Sequence, residues 1–382
     1  MASSAAHLNV LMLEGGGALG AYQAGVFDAL CQQDWVPDWV AGISIGAVNA
    51  AIIAGNAPAD RLERLRAFWD LVTSRLPGRS LLPGQEPRRW FNEFAAANVM
   101  AFGVPGFFQP RPLFDWAMPE LREPLSLYDH GPLRQTLLDH VDFDRLNAGP
   151  MRVSIGAASV RTGELVFFDN RSGRIEPEHV MASGALPPSF PPVMIDGEAY
   201  WDGGIITNTP LEHVLAGARD TDLAIVGVEL YHARGALPGN FSQMMRRHKD
   251  IRHASRSRMA TEMVLQAEAL RLAAARLAAR LPAELADDPD ARMLAAQARS
   301  GRAHLLQLVD RRDAFAERSQ DHEFSRQSIN GHWQAGLDDA QASLGHPEWQ
   351  ARSQHQPGFV IYDLNHPAGP QVRSVTEIVR DS

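Results

Sequence analysis

The chain opens with an apolar run, Leu8 to Leu13, that stops at Gly15-Gly16-Gly17, the pattern of a buried strand ending in a tight turn. After Gly20, apolar Val26, Phe27 and Leu30 recur at helical spacing through Gln33. Pro37 breaks the pattern and Trp39-Val40-Ala41 resumes it as a short strand. Residues 45–54 are small and apolar enough for a buried helix, and a third helix is predicted over 58–74, with Pro58 at its first position. Strand, helix, strand, helix in this order argues for a parallel sheet covered by helices.

From residue 76 to about 132 the texture changes, with prolines crowded among Trp90, Phe91, Phe94, Phe102, Phe107, Phe108, Phe114 and Trp116. So irregular a segment predicts poor core strands. It reads either as an insertion packed by its own aromatics or as an apolar mouth over a pocket of lipid size. Sheet texture returns at 152–160 and 165–168 around the turn Arg161-Thr162-Gly163. A helix follows at 176–182, another at 211–218, and an apolar strand at 223–230. Beyond Asn240 the sequence predicts mostly helix to about Leu344. Met263, Gln266, Leu270, Ala273 and Leu277 keep a 3–4 spacing that predicts a packing seam. Residues 359–364 read as a last strand, and no internal repeat is present.

Composition narrows the function classes. The 382 residues carry 36 basic and 45 acidic side chains, a net charge of −9, with 45% hydrophobic residues. This is a globular protein with material for a full core, and its acidic balance argues against a whole-protein grip on nucleic acid. A lone cysteine, Cys31, forms no intramolecular disulfide. Lys249 is the only lysine, a bias we read as coding composition. Met1 to His7 lacks a basic leader, and the longest weakly polar run, 41–55, is 15 residues, short of the ~20 that span a bilayer. The expectation is a cytoplasmic protein.

Three local motifs carry chemistry. Gly42-Ile43-Ser44-Ile45-Gly46 is a G-x-S-x-G between a predicted strand and helix, where small flanking residues allow a sharp turn that pushes a nucleophilic hydroxyl out of the sheet. The helix beginning beside it favours negative charge. Gly15, Gly17 and Gly20 form a G-x-G-x-x-G. As a dinucleotide loop this requires an acid at the end of the next strand, but Asp34 and Asp38 fall before that strand. The better-fitting role for Gly15, Gly16, Gly17 and Gly20 is an oxyanion hole, whose backbone N–H groups a side chain would obstruct; a plain structural turn is the third reading. The last motif is Asp202-Gly203-Gly204, followed by Asn208 and Pro210. Alone it is a turn; beside an elbow serine it supplies the base such a nucleophile needs.

These pieces, with the block Ala182-Ser183-Gly184-Ala185-Leu186-Pro187-Pro188-Ser189-Phe190-Pro191-Pro192-Val193, resemble the patatin-like phospholipases over roughly residues 8–230. The resemblance implies an α/β/α sandwich with a mainly parallel sheet. It implies a Ser44–Asp202 dyad supported by Gly42, Gly46, Gly203 and Gly204, and acyl-ester hydrolysis on lipids with no metal or cofactor. Residues 324–340 resemble a tail carried by some bacterial members. The organisation this suggests is a catalytic domain at 1–235, containing the insertion at 76–132, then a mainly helical extension at 236–382 that ends in a short strand.

Three competing readings remain. A histidine triad would also use G-x-S-x-G, with His213, His232 or His366 as candidates, none of them in a motif. Metal hydrolysis lacks an H-E-x-x-H or a Cys/His cluster. A non-catalytic lipid-binding scaffold would rest on Arg246, Arg247, Lys249, Arg252, Arg256 and Arg258, which read either as a solvated helix face or as a dock for an anionic membrane surface. The intact serine, aspartate and glycines favour the enzyme, with lipid esters or short hydroxyalkanoate oligomers as substrates.

Overall fold

A computed structural model describes residues 7–73, 80, 84–112, 126–219, 221–285, 287–297, 301–311, 320–352 and 358–375. In chain order the elements are β1 (His7–Leu13), α1 (Gly20–Gln32), β2 (Trp39–Ile43), α2 (Ile45–Ala54), α3 (Arg61–Thr73), α4 (Gln85–Phe102), β3 (Gln109–Pro110) and β4 (Tyr128–Asp129). Then come α5 (Gly131–His140), α6 (Phe143–Ala148), β5 (Arg152–Ser159), β6 (Leu165–Asp169), α7 (Pro177–Ser183), β7 (Val193–Ile195), β8 (Glu198–Asp202), α8 (Leu211–Gly217) and β9 (Asp222–Glu229). The rest comprises α9 (Phe241–Ala278), α10 (Pro289–Gln297), β10 (Ala303–Val309), α11 (Arg326–Leu344), α12 (Pro347–Gln350), β11 (Phe359–Asp363) and β12 (Gln371–Ser374).

The main sheet runs β12-β11-β10-β9-β1-β2-β5-β8-β7, with β6 also on β5. Strands β11, β10, β9, β1, β2 and β5 are mutually parallel, and the others are antiparallel to their neighbours. Continuous apolar runs suit these central strands because helices cover both faces. The register aligns Leu13 with Gly42 on one side and Val228 on the other. The turns leaving β1, β2 and β9 therefore emerge together at the carboxyl edge of the sheet, where ligands bind in open α/β folds.

A second feature of the topology brings distant residues together. Strand β5 pairs with β2 up to Ile43↔Gly156, and with β8 from Ala157↔Asp202 onward. Strand β6 occupies the opposite edge of β5, so β2 and β8 share one edge and meet end to end. Their last residues lead directly to Ser44 and out of Asp202. Gly203 sits at this junction, where a Cβ would stand 2.7 Å from the Gly156 carbonyl oxygen.

The C-terminal part builds onto the same sheet. Strand β10 pairs with β9, and β11 and β12 follow. Strand β10 lies inside the stretch the sequence predicts as helical. Its Leu-rich run has no period of two because it is buried on both faces. Helix α11 crosses α1 closely: a Cβ on Gly25 would lie 1.9 Å from the Trp333 carbonyl oxygen, and one on Gly336 would lie 2.0 Å from that of Tyr22. Tyr22 Oη donates to Asp339 (2.9 Å) and Trp333 Nε1 to Asp28 (3.0 Å).

Two helices differ from expectation. The seam of α9 is not Met263, Leu270 and Leu277, which are exposed, but Asp250, Ala254, Ser257, Thr261, Leu265 and Glu268. Within this stripe Ser257 meets buried Glu14 behind the glycine loop, Asp250 and Glu268 pair with Arg246 and Arg271 of the same helix, and Leu265 joins an apolar cluster. Within the supposedly irregular insertion, α4 is a regular helix burying Asn92, Ala95, Ala96 and Val99. Its outer face carries exposed Trp90, Phe94, Met100 and Phe102, so the large apolar residues of the sequence do not mark the buried face. Phe114 and Trp116 lie outside the described residues.

Candidate active site

Ser44 joins β2 to α2 with φ 57° and ψ −125°, a left-handed backbone that a non-glycine residue adopts at a cost of about 1–3 kcal/mol. The flanking glycines are required by space. A Cβ on Gly42 would lie 2.3 Å from the Gly46 carbonyl oxygen, and one on Gly46 would lie 2.2 Å from that of Leu13. The strained turn is held from a third element. The Ser44 N–H donates to Ser183 Oγ (2.9 Å), and that hydroxyl donates to the Gly156 carbonyl (2.6 Å).

Asp202 ends β8 and is buried. Its carboxylate accepts from the Gly204 N–H at 2.7 Å. Burial raises its pKa to about 6, although the Ser44 side chain and the Gly204 N–H both favour its charged form, so at neutral pH it is an ionised group of enhanced basicity. The turn after it is fixed by Arg256 of α9, whose guanidinium donates to the carbonyls of Ile205 (2.7 Å) and Gly204 (3.3 Å).

The glycine loop lies against this pair. A Cβ on Gly15 would stand 2.9 Å from the Ser44 Cβ and 2.9 Å from Asn208 Oδ1, so the loop approaches the serine as closely as backbone allows. Gly17 has φ +58°. Asn208 Nδ2 donates to the Gly15 carbonyl at 3.0 Å. Gly20 does not join the site; it packs on Ile45 and Trp69 at the start of α1. Beneath the loop, buried Glu14 accepts from Ser257 Oγ (2.7 Å), and its own carbonyl accepts from Gln23 Nε2 (2.7 Å). Burial, reinforced by Glu229, raises the Glu14 pKa well above the carboxylate range and favours its protonated form.

Ser44, Asp202, Gly15, Gly16, Gly17 and Asn208 line one cavity of about 140 Å³. Its other walls include Val48, Phe107, Phe108, Leu133, Met181, Leu186, Phe190 and Phe324, which make it mostly apolar. Of the insertion aromatics, Phe107 and Phe108 thus reach the cavity, whereas Phe102 is exposed on α4. The histidines nominated from sequence lie elsewhere: His213 stacks on Phe167 (3.9 Å) and approaches Ser154 Oγ (3.1 Å), His232 bonds the Arg234 carbonyl, and His366 bonds the Ala368 N–H (3.2 Å). Three others, His130, His253 and His322, line the cavity. Burial lowers the pKa of both His130 and His253 to about 4, so these two are neutral.

The basic stretch of α9 is not an open cationic face. Arg246 pairs with Asp250, Arg247 bonds the Ala233 carbonyl, Lys249 pairs with Asp321 and Arg256 holds the Asp202 turn. Arg252 and Arg258 are exposed. Among the described residues no group of three or more His, Cys, Asp or Glu is placed to hold a metal ion, and no helix is long and apolar enough to cross a membrane.

The patatin-like phospholipase description matches residues 11–215, more than half of the chain, and covers the glycine loop, the elbow serine and the aspartate turn together. The chain belongs to the patatin-like phospholipases. A second description, patatin phospholipase, matches residues 251–356 of this patatin-like protein and takes in the rest of α9, β10 and α11. No curated protein matches the chain. Among solved structures it is similar to VipD from Legionella pneumophila, at 16% identity and a TM-score of 0.40, covering 88% of this chain and 66% of that one. It is also similar to ExoU of the Pseudomonas aeruginosa type III secretion system, solved with SpcU, at 20% identity and a TM-score of 0.26, covering 66% and 52%. The chain thus spans about two thirds of the VipD chain and half of the ExoU chain. In this patatin-like phospholipase, sequence reasoning did not single out Ser183, Arg256 or the Lys249–Asp321 pair as parts of the site. Ser183 stands only inside a motif block, Lys249 and Arg256 only in the basic stretch read as a surface, and Asp321 carries no local signal.

Proposed function

We propose that this chain is a serine hydrolase of lipid acyl esters, with Ser44 as nucleophile and Asp202 as general base. The observation that supports this reading most is Ser44 on its strained turn sharing one mostly apolar cavity with the glycine loop and with Asp202, a buried carboxylate of raised pKa whose charged form the Ser44 side chain favours. Ser44 Oγ attacks the ester carbonyl carbon while Asp202 takes the hydroxyl proton. The carbonyl oxygen becomes an oxyanion, met by the N–H groups of Gly16 and Gly17 and by the amino end of α2. Collapse breaks the ester C–O bond, Asp202 returns the proton to the leaving alkoxide, and an acyl-Ser44 remains. Water, deprotonated by Asp202, then releases the fatty acid and restores the serine.

The apolar walls suit an acyl chain, since each buried CH₂ contributes about 0.8 kcal/mol. Such substrates reside in aggregates, and α4 carries exposed Trp90, Phe94, Met100 and Phe102 in the segment that continues into Phe107 and Phe108 of the cavity wall. Peripheral contact with a membrane belongs on that face rather than on the internally paired basic stretch. The deciding experiment is a chain-length series of p-nitrophenyl esters, hydroxyalkanoate oligomers and defined phospholipids, run beside Ser44→Ala. Turnover absent from every ester, or equal in the Ser44→Ala variant, overturns the reading and leaves a binding scaffold.

A further inference from the structure

The cavity wall includes a polar group that the proposed hydrolysis does not use. Lys249 and His253 stand one turn apart on α9, facing Asp321 and His322 of the single turn at 320–322. His253 stacks on Tyr231, with ring centroids 4.5 Å apart. Asp321, although buried, is held down to about 2 by Lys249 and His322, so the lysine meets a full carboxylate. Lys249 is the only lysine in a chain whose 36 basic residues otherwise leave 35 arginines, and it is the one Lys or Arg among the described residues lining the cavity.

An ammonium has three N–H donors. Among the described residues, Asp321 is its hydrogen-bond acceptor. The pair is neutral as it stands, held at the wall of the same cavity that contains Ser44. A neutral glyceride offers the ammonium no counter-charge. An acyl ester of a phosphorylated alcohol offers an anion to the remaining ammonium donors, with Asp321 fixing the ammonium's position. We infer that Lys249 reads the phosphate of the substrate headgroup, so that the cavity favours acyl esters of a phosphorylated glycerol over neutral glycerides. This rests on the hydrolase reading of Ser44 and Asp202 for its chemistry, though not for its binding geometry.

A structural alternative exists on the same residues. The Asp321 carbonyl abuts Gly17, where a Cβ would come within 2.3 Å of it, so the ion pair also braces the glycine loop. A brace acts on every ligand alike, whereas a phosphate reader acts on one. The test is therefore a ratio. Two decyl ethers of glycerol, one with a 3-phosphate and one without, are titrated into the full chain by calorimetry; neither carries an ester, so binding is read without turnover.

The expected result is tighter binding of the phosphate-bearing ether by the wild type. Lys249→Met lowers the ratio of the two affinities about tenfold or more, the size of one lost charge-assisted hydrogen bond. Lys249→Arg keeps most of the ratio, and Asp321→Asn, which removes the competing carboxylate, raises it. A ratio that stays within about twofold of wild type in Lys249→Met overturns the inference, whatever happens to the separate affinities. Should Lys249→Met not fold, a ratio unchanged or lowered in Asp321→Asn overturns it equally. Absence of Ser44-dependent turnover on any ester would instead remove the hydrolase reading and leave this ratio to be judged by itself.

Discussion

At the scale of single residues, the dyad makes two expectations that pull in opposite directions. Ser44→Ala and Asp202→Asn should each reduce esterase turnover by several orders of magnitude, and the double variant should be little worse than either, because the two act as one unit. The pH profile follows from the aspartate. With its pKa raised to about 6 by burial, Asp202 accepts a proton only when ionised, so kcat/KM should fall tenfold per unit below about pH 6 and level off above it. The same shift has the opposite sign for stability. A carboxyl whose pKa rises on folding from 3.8 to about 6 costs stability once pH exceeds both values, and costs nothing below the lower one. About two units correspond to roughly 3 kcal/mol. Asp202→Asn should therefore melt several degrees higher than wild type at pH 8, with the gap shrinking toward pH 4. A variant that is inactive but no more stable at pH 8 would contradict the buried-charge account. These residues were legible in the sequence because their neighbours are local: Gly42 and Gly46 flank Ser44, and Gly203 and Gly204 follow Asp202. Ser183 and Arg256 were not, since what they do depends on Ser44 and Ile205 being brought to them from 139 and 51 positions away.

At the scale of elements, the site exists because β2 and β8 stop against each other along one edge of β5. The sequence showed each strand and each motif but not this meeting, which depends on β8 running antiparallel and on Gly156 and Gly203 being small enough to pass. A Cβ at Gly203 would lie 2.7 Å from the Gly156 carbonyl and 3.2 Å from Ile43 Cγ2, so the ends must part. Gly203→Ala should then cost about a hundredfold in turnover, the effect of an ~1 Å misplacement, while circular dichroism shows the helices retained. Wild-type rates in that variant would mean the junction has slack. Helix α4 was hidden for a different reason, since its outer face carries the large apolar Trp90 and Phe94 while its buried face carries Asn92 and two alanines. That outer face gives the element's own expectation: Trp90→Ala with Phe94→Ala should lower binding to phospholipid vesicles, and turnover there, while leaving turnover of a soluble short-chain ester near wild type. Equal losses on both substrates would show that α4 only packs.

For the whole molecule, the question is whether residues 236–382 are an appendage or part of the fold that makes the site. The motifs end near residue 230, which is why the sequence reads as a domain followed by an extension. The contacts do not divide there. Strand β9 is paired along its length by β10, so removing the C-terminal part would uncover a seven-residue parallel edge, a template for aggregation. The close α1–α11 crossing would open around Gly25 and Gly336, exposing the Tyr22 face of a helix that is now buried from Gly20 to Leu30. The site would loosen as well, since Ser257 secures Glu14 under the glycine loop and Arg256 secures the turn after Asp202, both from α9. A chain ending at residue 240 should therefore be recovered mainly as aggregate, and any soluble fraction should be rapidly proteolysed and inactive on esters that the full chain cleaves. The measurement is soluble yield, melting behaviour and protease resistance of the 1–240 fragment beside the full chain. Adding residues 241–382 as a separate polypeptide should restore activity in part, because the lost contacts are a strand pairing and a helix crossing that can form between chains. A 1–240 fragment that melts cooperatively near the full-chain temperature, with Ser44-dependent turnover, would show instead that β9 and α1 are stable without their C-terminal partners.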